Sequence, residues 1–215
     1  MATDRPATLQ IDRIDAETLL IPIRGTAPLI VHNWSDKARK QMLDKMQGRK
    51  KVTEARDPVA DYEASLYRIH REAEDGAVAE SFGFPVLGFK AATIGAARFY
   101  DKSITMTALR QYLFFRGIRS KADQQELVEI FGDHEMREDP VRVGQGTADL
   151  RYRAQFPEWT AKLQVTYVRS SIDRNSVVSL IDAGGMGVGV GEWRPEKSGI
   201  YGTYEVNPDV TIEVL

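Results

Sequence analysis

The chain has 215 residues, no cysteine, three histidines and a formal net charge of -2. Disulfides and thiolate metal sites are thereby excluded, and a zinc site built on three scattered histidines is disfavoured. With 42% hydrophobic and 28% charged residues the composition is that of a globular protein, long enough for one domain carrying a sizeable insertion. No apolar run approaches a membrane span and the N-terminus lacks the apolar core of a signal peptide. The sequence therefore predicts a cytoplasmic protein with no membrane partner. The balanced charge carries no global basic signature, so nucleic-acid binding has to rest on local patches.

Residues 1–16 are polar and read as an arm or a short edge strand. Thr18–Gly25 is β-rich, and Pro28–His32 continues it after a break, with Pro22 and Gly25 marking an edge or a bulge. Residues 35–76 then form a basic helical insertion. Lys37, Arg39, Lys40, Lys45, Arg49, Lys50, Lys51 and Arg56 outnumber the acids Asp36, Asp44, Glu54 and Asp57. Ser35 caps a first helix that stops near Gly48. Asp57-Pro58 opens a second, with Val59, Tyr62, Leu66 and Ile69 as its apolar stripe. The connector between them, Gly48–Arg56, is basic and finger-like. A run of this kind is most simply a solvated surface; its functional use is to grip phosphates.

Phe82–Leu87 reads as a short strand, and Gly88 opens a helix to Tyr100. The small residues Ala91, Ala92, Gly95, Ala96 and Ala97 allow that helix to pack closely on a sheet. Ser103–Arg110 reads as another helix, and Gln111–Arg119 as a strand ending in cations. Asp123–Phe131 fits a short helix or a strand. His134–Gly146 is a polar loop interrupted by Val141-Arg142-Val143. Ala148–Phe156 alternates, with Leu150, Tyr152 and Ala154 opposite Arg151 and Arg153, and Pro157-Glu158 turns it into a hairpin with Trp159–Arg169.

Ser171–Ala183 reads as a helix capped by Ser171 or Asp173, Ile200–Val206 as a strand, and Val210–Leu215 as a last extended piece. Between helix and strand, five glycines fall among the eight residues Gly184–Gly191, followed by Glu192-Trp193-Arg194-Pro195-Glu196-Lys197. Phosphate loops of nucleotide-binding proteins run strand, loop, helix, so that a helix N-terminus faces the phosphate. Here the loop leaves a helix C-terminus, whose dipole repels phosphate, and no Gly-Lys-Ser/Thr follows. No cofactor is predicted. The element order is that of a β-α-β-β-α-β unit. The expected fold is α+β, a single domain with a ferredoxin-like or RRM-like antiparallel sheet, helices on one face and a helical insertion after the first strand.

Two stretches resemble the RAMP superfamily, the RNA-binding subunits of CRISPR effector complexes. Gly184–Gly191 is similar to the glycine-rich loop between that superfamily's last helix and last strand. Phe84–Arg98, with Pro85, Gly88, Lys90 and Arg98, is similar to the opening of its first core helix, and Leu20–Val31 resembles its first strand. The resemblance spans most of the chain. It implies a ferredoxin-like fold, RNA binding and a place in a multi-subunit assembly, with residues 35–76 standing where backbone subunits carry hand-like elaborations. The chain is smaller and less basic than many such subunits, and its glycine-loop tail also resembles phage proteins. A phage-borne relative can coat single-stranded DNA or RNA instead. The sequence leaves RNA and DNA open.

Four groups of residues are candidates for the path of a strand. The finger supplies Lys37, Arg39, Lys40, Arg49, Lys50, Lys51 and Arg56. Lys90 and Arg98 stand on the first core helix, and Arg116, Arg119, Arg151 and Arg153 on the rim or face of the sheet. The glycine loop supplies Gly185, Gly187, Gly189, Trp193 and Arg194, with Trp34 as a second stacking platform. Plain surface positions account equally for Lys90 and Arg98, and core or subunit packing for the tryptophans.

His32 stands in the neighbourhood where the superfamily's metal-independent ribonucleases use a histidine. Asp36 stands where some RNA-cleaving backbone subunits carry a metal-binding aspartate. A hydrogen-bonded strand-end histidine and a first-turn helix acid explain them as well, and no nucleophile with its base accompanies either. The sequence thus predicts a non-catalytic, sequence-independent binder of single-stranded nucleic acid that multimerises along RNA or DNA. Its alternatives are a structural protein using the fold for protein contacts, and an endoribonuclease.

Overall fold

The computed structural model describes residues 11–33, 42–44, 46–49, 57–72, 78–100, 104–119, 125–143 and 147–215. The elements are β1 (Ala16–Gly25), β2 (Leu29–Val31), α1 (Pro58–Ser65), β3 (Tyr67–Glu72), β4 (Val78–Pro85) and α2 (Val86–Gly95), which a 3-10 turn extends through Ala96–Phe99. There follow α3 (Met106–Tyr112), β5 (Leu113–Arg116), β6 (Ile118–Arg119), β7 (Glu126–Phe131), β8 (Glu135–Val143), β9 (Thr147–Phe156), β10 (Thr160–Val168), α4 (Arg174–Gly187), β11 (Tyr204–Val206) and β12 (Glu213–Val214). Among the described residues no helix is long and apolar enough to cross a membrane.

The α+β, ferredoxin-like plan follows from the pairing. β1 lies antiparallel to β10 along its whole length and to β11 on its other edge, while β5 and β7 take the far edge of β10 in tandem. Counting β1, β5/β7, β10 and β11 as the four core strands, the order across the sheet is last, first, third, second. Alternation drives it: Leu19, Ile21 and Ile23 on β1 oppose Val165, Leu163 and Ala161 on β10, and all six are buried. Val177, Leu180 and Ile181 on α4 and Phe89 and Ala92 on α2 join the same core. Asp173 starts α4 by accepting from the Ser176 N–H at 3.0 Å.

The glycines decide how closely the two core helices meet. A Cβ on Gly184 would stand 2.7 Å from the Ala92 carbonyl oxygen, so α4 reaches the backbone of α2 only because Gly184 has no side chain. Beside this contact Phe89, Trp159 and Tyr204 form an aromatic cluster with centroids 5.6 to 6.4 Å apart. Trp159 Nε1 donates to the Ala27 carbonyl at 2.9 Å.

Several elements depart from the sequence expectation. The second insertion helix ends at Ser65, and residues 67–72 form a strand paired with β4. Leu66 and Ile69 fit the spacing of a helical stripe, but both are buried in the strand arrangement instead. The stretch from Glu135 is not a loop. It forms β8, in which Arg137 stands opposite Arg153, and the two like charges are compensated by Asp139, which accepts from both. The expected hairpin between residues 148–156 and 159–169 does not form. β9 belongs to a separate three-stranded sheet ordered β2-β9-β8, while β10 crosses into the main sheet.

Residues 126–131 resolve as a strand, α2 begins at Val86 rather than Gly88, and α4 runs to Gly187 rather than Ala183. The final strand shortens to Tyr204–Val206. Pro22 is not on an edge. It falls in the gap between the β11 partners Ile23–Gly25 and the β12 partners Leu19–Leu20, where the ladder asks nothing of its missing N–H.

Candidate nucleic-acid interface

Strand alternation turns one set of side chains toward the helices and the other away from them. On β5, Leu113 and Phe115 are buried, while Phe114 (43% exposed) and Arg116 turn outward. Register places Phe114 beside Thr166 and Arg116 beside Gln164 on β10, with Thr18 of β1 opposite Thr166. Thr18 Oγ1 and Thr166 Oγ1 share a hydrogen bond at 2.8 Å. Lys162, two positions along from Gln164, completes this outward patch. Its cations hold only loose partners: Arg116 Nη1 is 3.6 Å from Glu126 Oε1 and Lys162 Nζ is 3.5 Å from Glu213 Oε1. Exposed pairs of this kind contribute little and are readily exchanged for another anion. Arg119, at the end of β6, is also exposed, and the Lys90 ammonium lies 5.8 Å from the Phe114 ring centroid.

The glycine stretch is built differently. Gly185 and Gly187 lie within α4, packed against Tyr204 and the Phe99 ring. Gly189 and Gly191 have φ of +70° and +77°, and the Glu192 N–H donates to the Ile30 carbonyl at 3.0 Å, which fixes the loop to β2. Below it is a cleft of about 190 Å³ lined by His32, Gly88, Ala91, Gly189, Glu192, Arg194 and Glu196 among others. All three Arg194 nitrogens bond within the protein: Nε and Nη2 donate to Glu196 Oε2, and Nη1 to the Gly191 carbonyl. Glu192 Oε1 is 3.8 Å from His32 Nδ1. Burial holds the His32 imidazole below its ordinary basicity, against the pull of Glu192. Trp193 is 44% exposed, with a positive φ of 55°.

Arg153 does not line a binding surface. It is 2% exposed, and its Nη2 donates to Asp139 Oδ2 at 2.5 Å and its Nη1 to Glu192 Oε2 at 3.2 Å. Arg137 closes the network on Asp139 at 2.8 Å. The buried guanidinium thus ties the three-stranded sheet to the glycine loop. Arg151, two residues earlier on β9, is half-buried.

Of the expected finger, Arg49 is exposed and paired with Asp44 at 3.2 Å. Lys37, Arg39, Lys40, Lys50, Lys51 and Arg56 lie outside the described residues, as do Trp34 and Asp36. Lys90 and Arg98 line a second groove, on the outer side of α2 and α3. The structure brings Arg116 together with Phe114 and Lys162, two residues that the sequence reading did not single out. The signal was present in the alternation of Leu113-Phe114-Phe115-Arg116, which puts Phe114 on the face of Arg116. Among the described residues no cluster of His, Asp and Glu is placed to hold a metal ion.

No protein-family model and no curated protein matches the sequence. By structure the chain is similar to a chain of the type III-B Cmr-beta complex bound to cognate target RNA. The TM-score is 0.40 at 11% identity, over 93% of this chain and 61% of that one. It is also similar to Cmr6 from Pyrococcus furiosus, with a TM-score of 0.40 at 8% identity, over 91% of this chain and 100% of the other.

Proposed function

We propose that this protein binds single-stranded nucleic acid without cutting it, in the manner of a CRISPR effector backbone subunit, and that copies assemble side by side along RNA or DNA. The observation that carries this reading is the outward patch on β5 and β10. There the half-exposed ring of Phe114 stands opposite Thr166, with the Lys90 ammonium 5.8 Å from its centroid, and is followed along the strands by Arg116 opposite Gln164 and then by Lys162, two loosely paired cations. An aromatic face accepts any base, and the cations that run on from it along the strands follow the phosphates, so binding of this kind is independent of sequence. The polar side chains add hydrogen bonds to sugar and phosphate.

The reading takes the protein as non-catalytic because the sequence pairs no nucleophile with a base, and because among the described residues His32 Nδ1 has Glu192, 3.8 Å away, as its charged neighbour in the cleft. It takes the whole chain as one domain, with the basic connector as a second grip on the strand.

Fluorescence anisotropy with labelled single-stranded RNA and DNA at two salt concentrations tests it. Phe114→Ala is expected to weaken binding by about 1–3 kcal/mol. Arg116→Ala and Lys162→Ala are each expected to reduce the salt slope by about 0.7, the value for one phosphate contact on a single strand. Absence of binding to either polymer at low salt, or full binding by the triple variant, overturns the proposal. Cleavage of the labelled RNA that His32→Ala abolishes would replace it with the nuclease reading.

A further inference from the structure

The row of side chains that β10 turns away from the helices runs on past Lys162. Thr166, Gln164, Lys162 and Thr160 alternate with Val165, Leu163 and Ala161, which are buried. β5 flanks the first half of this row, with Phe114 opposite Thr166 and Arg116 opposite Gln164. β7 then takes over on the same edge of β10, with Ile130 opposite Ala161 and Phe131 opposite Thr160. Ile130 is buried with Ala161, so Phe131 shares the outward face of Thr160. Phe131 is 50% exposed, and among the described residues no other aromatic ring packs against it.

Two exposed rings therefore stand at the two ends of one row. Thr166 and Thr160 are six residues apart, a span of about 20 Å at the rise of an antiparallel strand. Arg116 and Lys162 lie between the rings. Glu129, two residues before Phe131 and on the same face, is neutralised: its two oxygens accept from Arg71 at 2.7 Å each. Arg24 is paired with Thr160 from the other edge of β10, and it is held by Glu205 and Asp209. Among the described residues this end of the row thus offers a ring without a free cation, which suits a base and not a phosphate.

We infer that Phe131 is a second stacking platform of the nucleic-acid site, and that the strand runs lengthwise along β10 from Phe114 to Phe131. The inference rests on the binding proposal above and adds to it the course of the strand and the length that fills the site. A stacked strand advances about 3.4 Å per nucleotide, so about six nucleotides bridge the two rings, and fewer when the strand is drawn out. A strand shorter than that bridge engages Phe114 and the cations and leaves Phe131 empty.

The test is anisotropy of the full chain with a ladder of labelled oligouridylates and oligothymidylates, from roughly two to roughly ten nucleotides. Circular dichroism confirms that each variant is folded. Wild-type affinity is expected to gain a step at about the bridging length of six nucleotides. Phe131→Ala is expected to remove the step, weakening the longer strands about fivefold or more while the shortest bind as they do to wild type. Phe131→Leu keeps apolar bulk without the ring and is expected to behave like Phe131→Ala. Phe131→Tyr is expected to retain the step. In all three the salt slope should equal that of wild type, because the ring meets a base and no phosphate.

A Phe131→Ala variant that binds every length as wild type does overturns the inference. So does an equal loss at all lengths, which would assign Phe131 to the fold, or a Phe131→Leu variant that keeps the step, which would make the ring dispensable. If Phe114→Ala and Arg116→Ala weaken binding while Phe131→Ala does not, this inference falls and the binding proposal stands without it. If none of the three weakens binding, both fall together.

Discussion

The glycine cleft and the outward patch of β5 and β10 are opposite in construction. Around the cleft the arginines have firm partners: Arg194 is held by Glu196 and Gly191, and Arg153 donates to Glu192 at 3.2 Å, with His32 3.8 Å from the same carboxylate. On the patch the cations sit at 3.5 Å or beyond from their acids, at 50% and 66% exposure. The first region is where the chain spends its side chains on itself. The second is where they are left for something else. A conspicuous sequence motif therefore marks the tightest internal packing here, and the surface suited to a ligand arises from register between strands far apart in sequence.

Disrupting the self-packed region should damage stability and spare the patch. The largest effect is expected at Arg153. Arg153→Ala removes the cation from a buried pair with Asp139, a change that costs about 3–5 kcal/mol when the remaining charge is left uncompensated. Arg137 still contacts Asp139, which places the expected loss near the lower end. Urea denaturation measures it, and anisotropy at a temperature where the variant is folded should show unchanged affinity. A loss of affinity with unchanged stability would mean that Arg153 acts at the surface after all.

Gly184→Ala comes next. The added methyl would stand 2.7 Å from the Ala92 carbonyl oxygen and has to push α4 off α2. Over-packing of this sort costs about 1–3 kcal/mol, reduced here because alanine is the better helix former by about 1 kcal/mol. A thermal-melting comparison reads the difference. If Gly184→Ala is as stable as wild type, the two helices are not in backbone contact.

The parts of the molecule legible in the sequence were those set by short-range pattern. Leu19, Ile21 and Ile23 announced β1, Pro58 after Asp57 announced the start of α1, and Asp173 announced the cap of α4. What stayed hidden depended on distant partners. Tyr62, Leu66 and Ile69 keep helical spacing, and only the presence of β4 as a pairing partner makes residues 67–72 a strand. Arg151 and Arg153 share one face by alternation, yet Asp139 and Glu192 bury one of them, and neither acid is near in sequence. The same holds for the outward patch. Arg116 was visible as a cation on a strand, but its neighbours Gln164 and Lys162 come from a strand nearly fifty residues later.

The smallest expected effect is at His32, and it bears on whether the cleft is a rigid part of the fold. In the folded protein burial disfavours the imidazolium, while Glu192 favours it and Arg153 and Arg151 oppose it; Asp61 adds a weaker attraction. The net folded basicity lies below the free value of about 6.5. Between the folded and the free value the unfolded chain binds more protons, so stability rises with pH across that interval. His32 thus contributes stability that is complete above about pH 6.5 and is lost as the solution is acidified. Urea midpoints should fall with acidification more steeply for wild type than for His32→Gln. Glu192→Gln, which withdraws the attraction, should make the fall steeper still. Equal slopes for wild type and His32→Gln would mean that the cleft opens enough in solution to hydrate the ring, and the contrast between a closed cleft and an open patch would lose its basis.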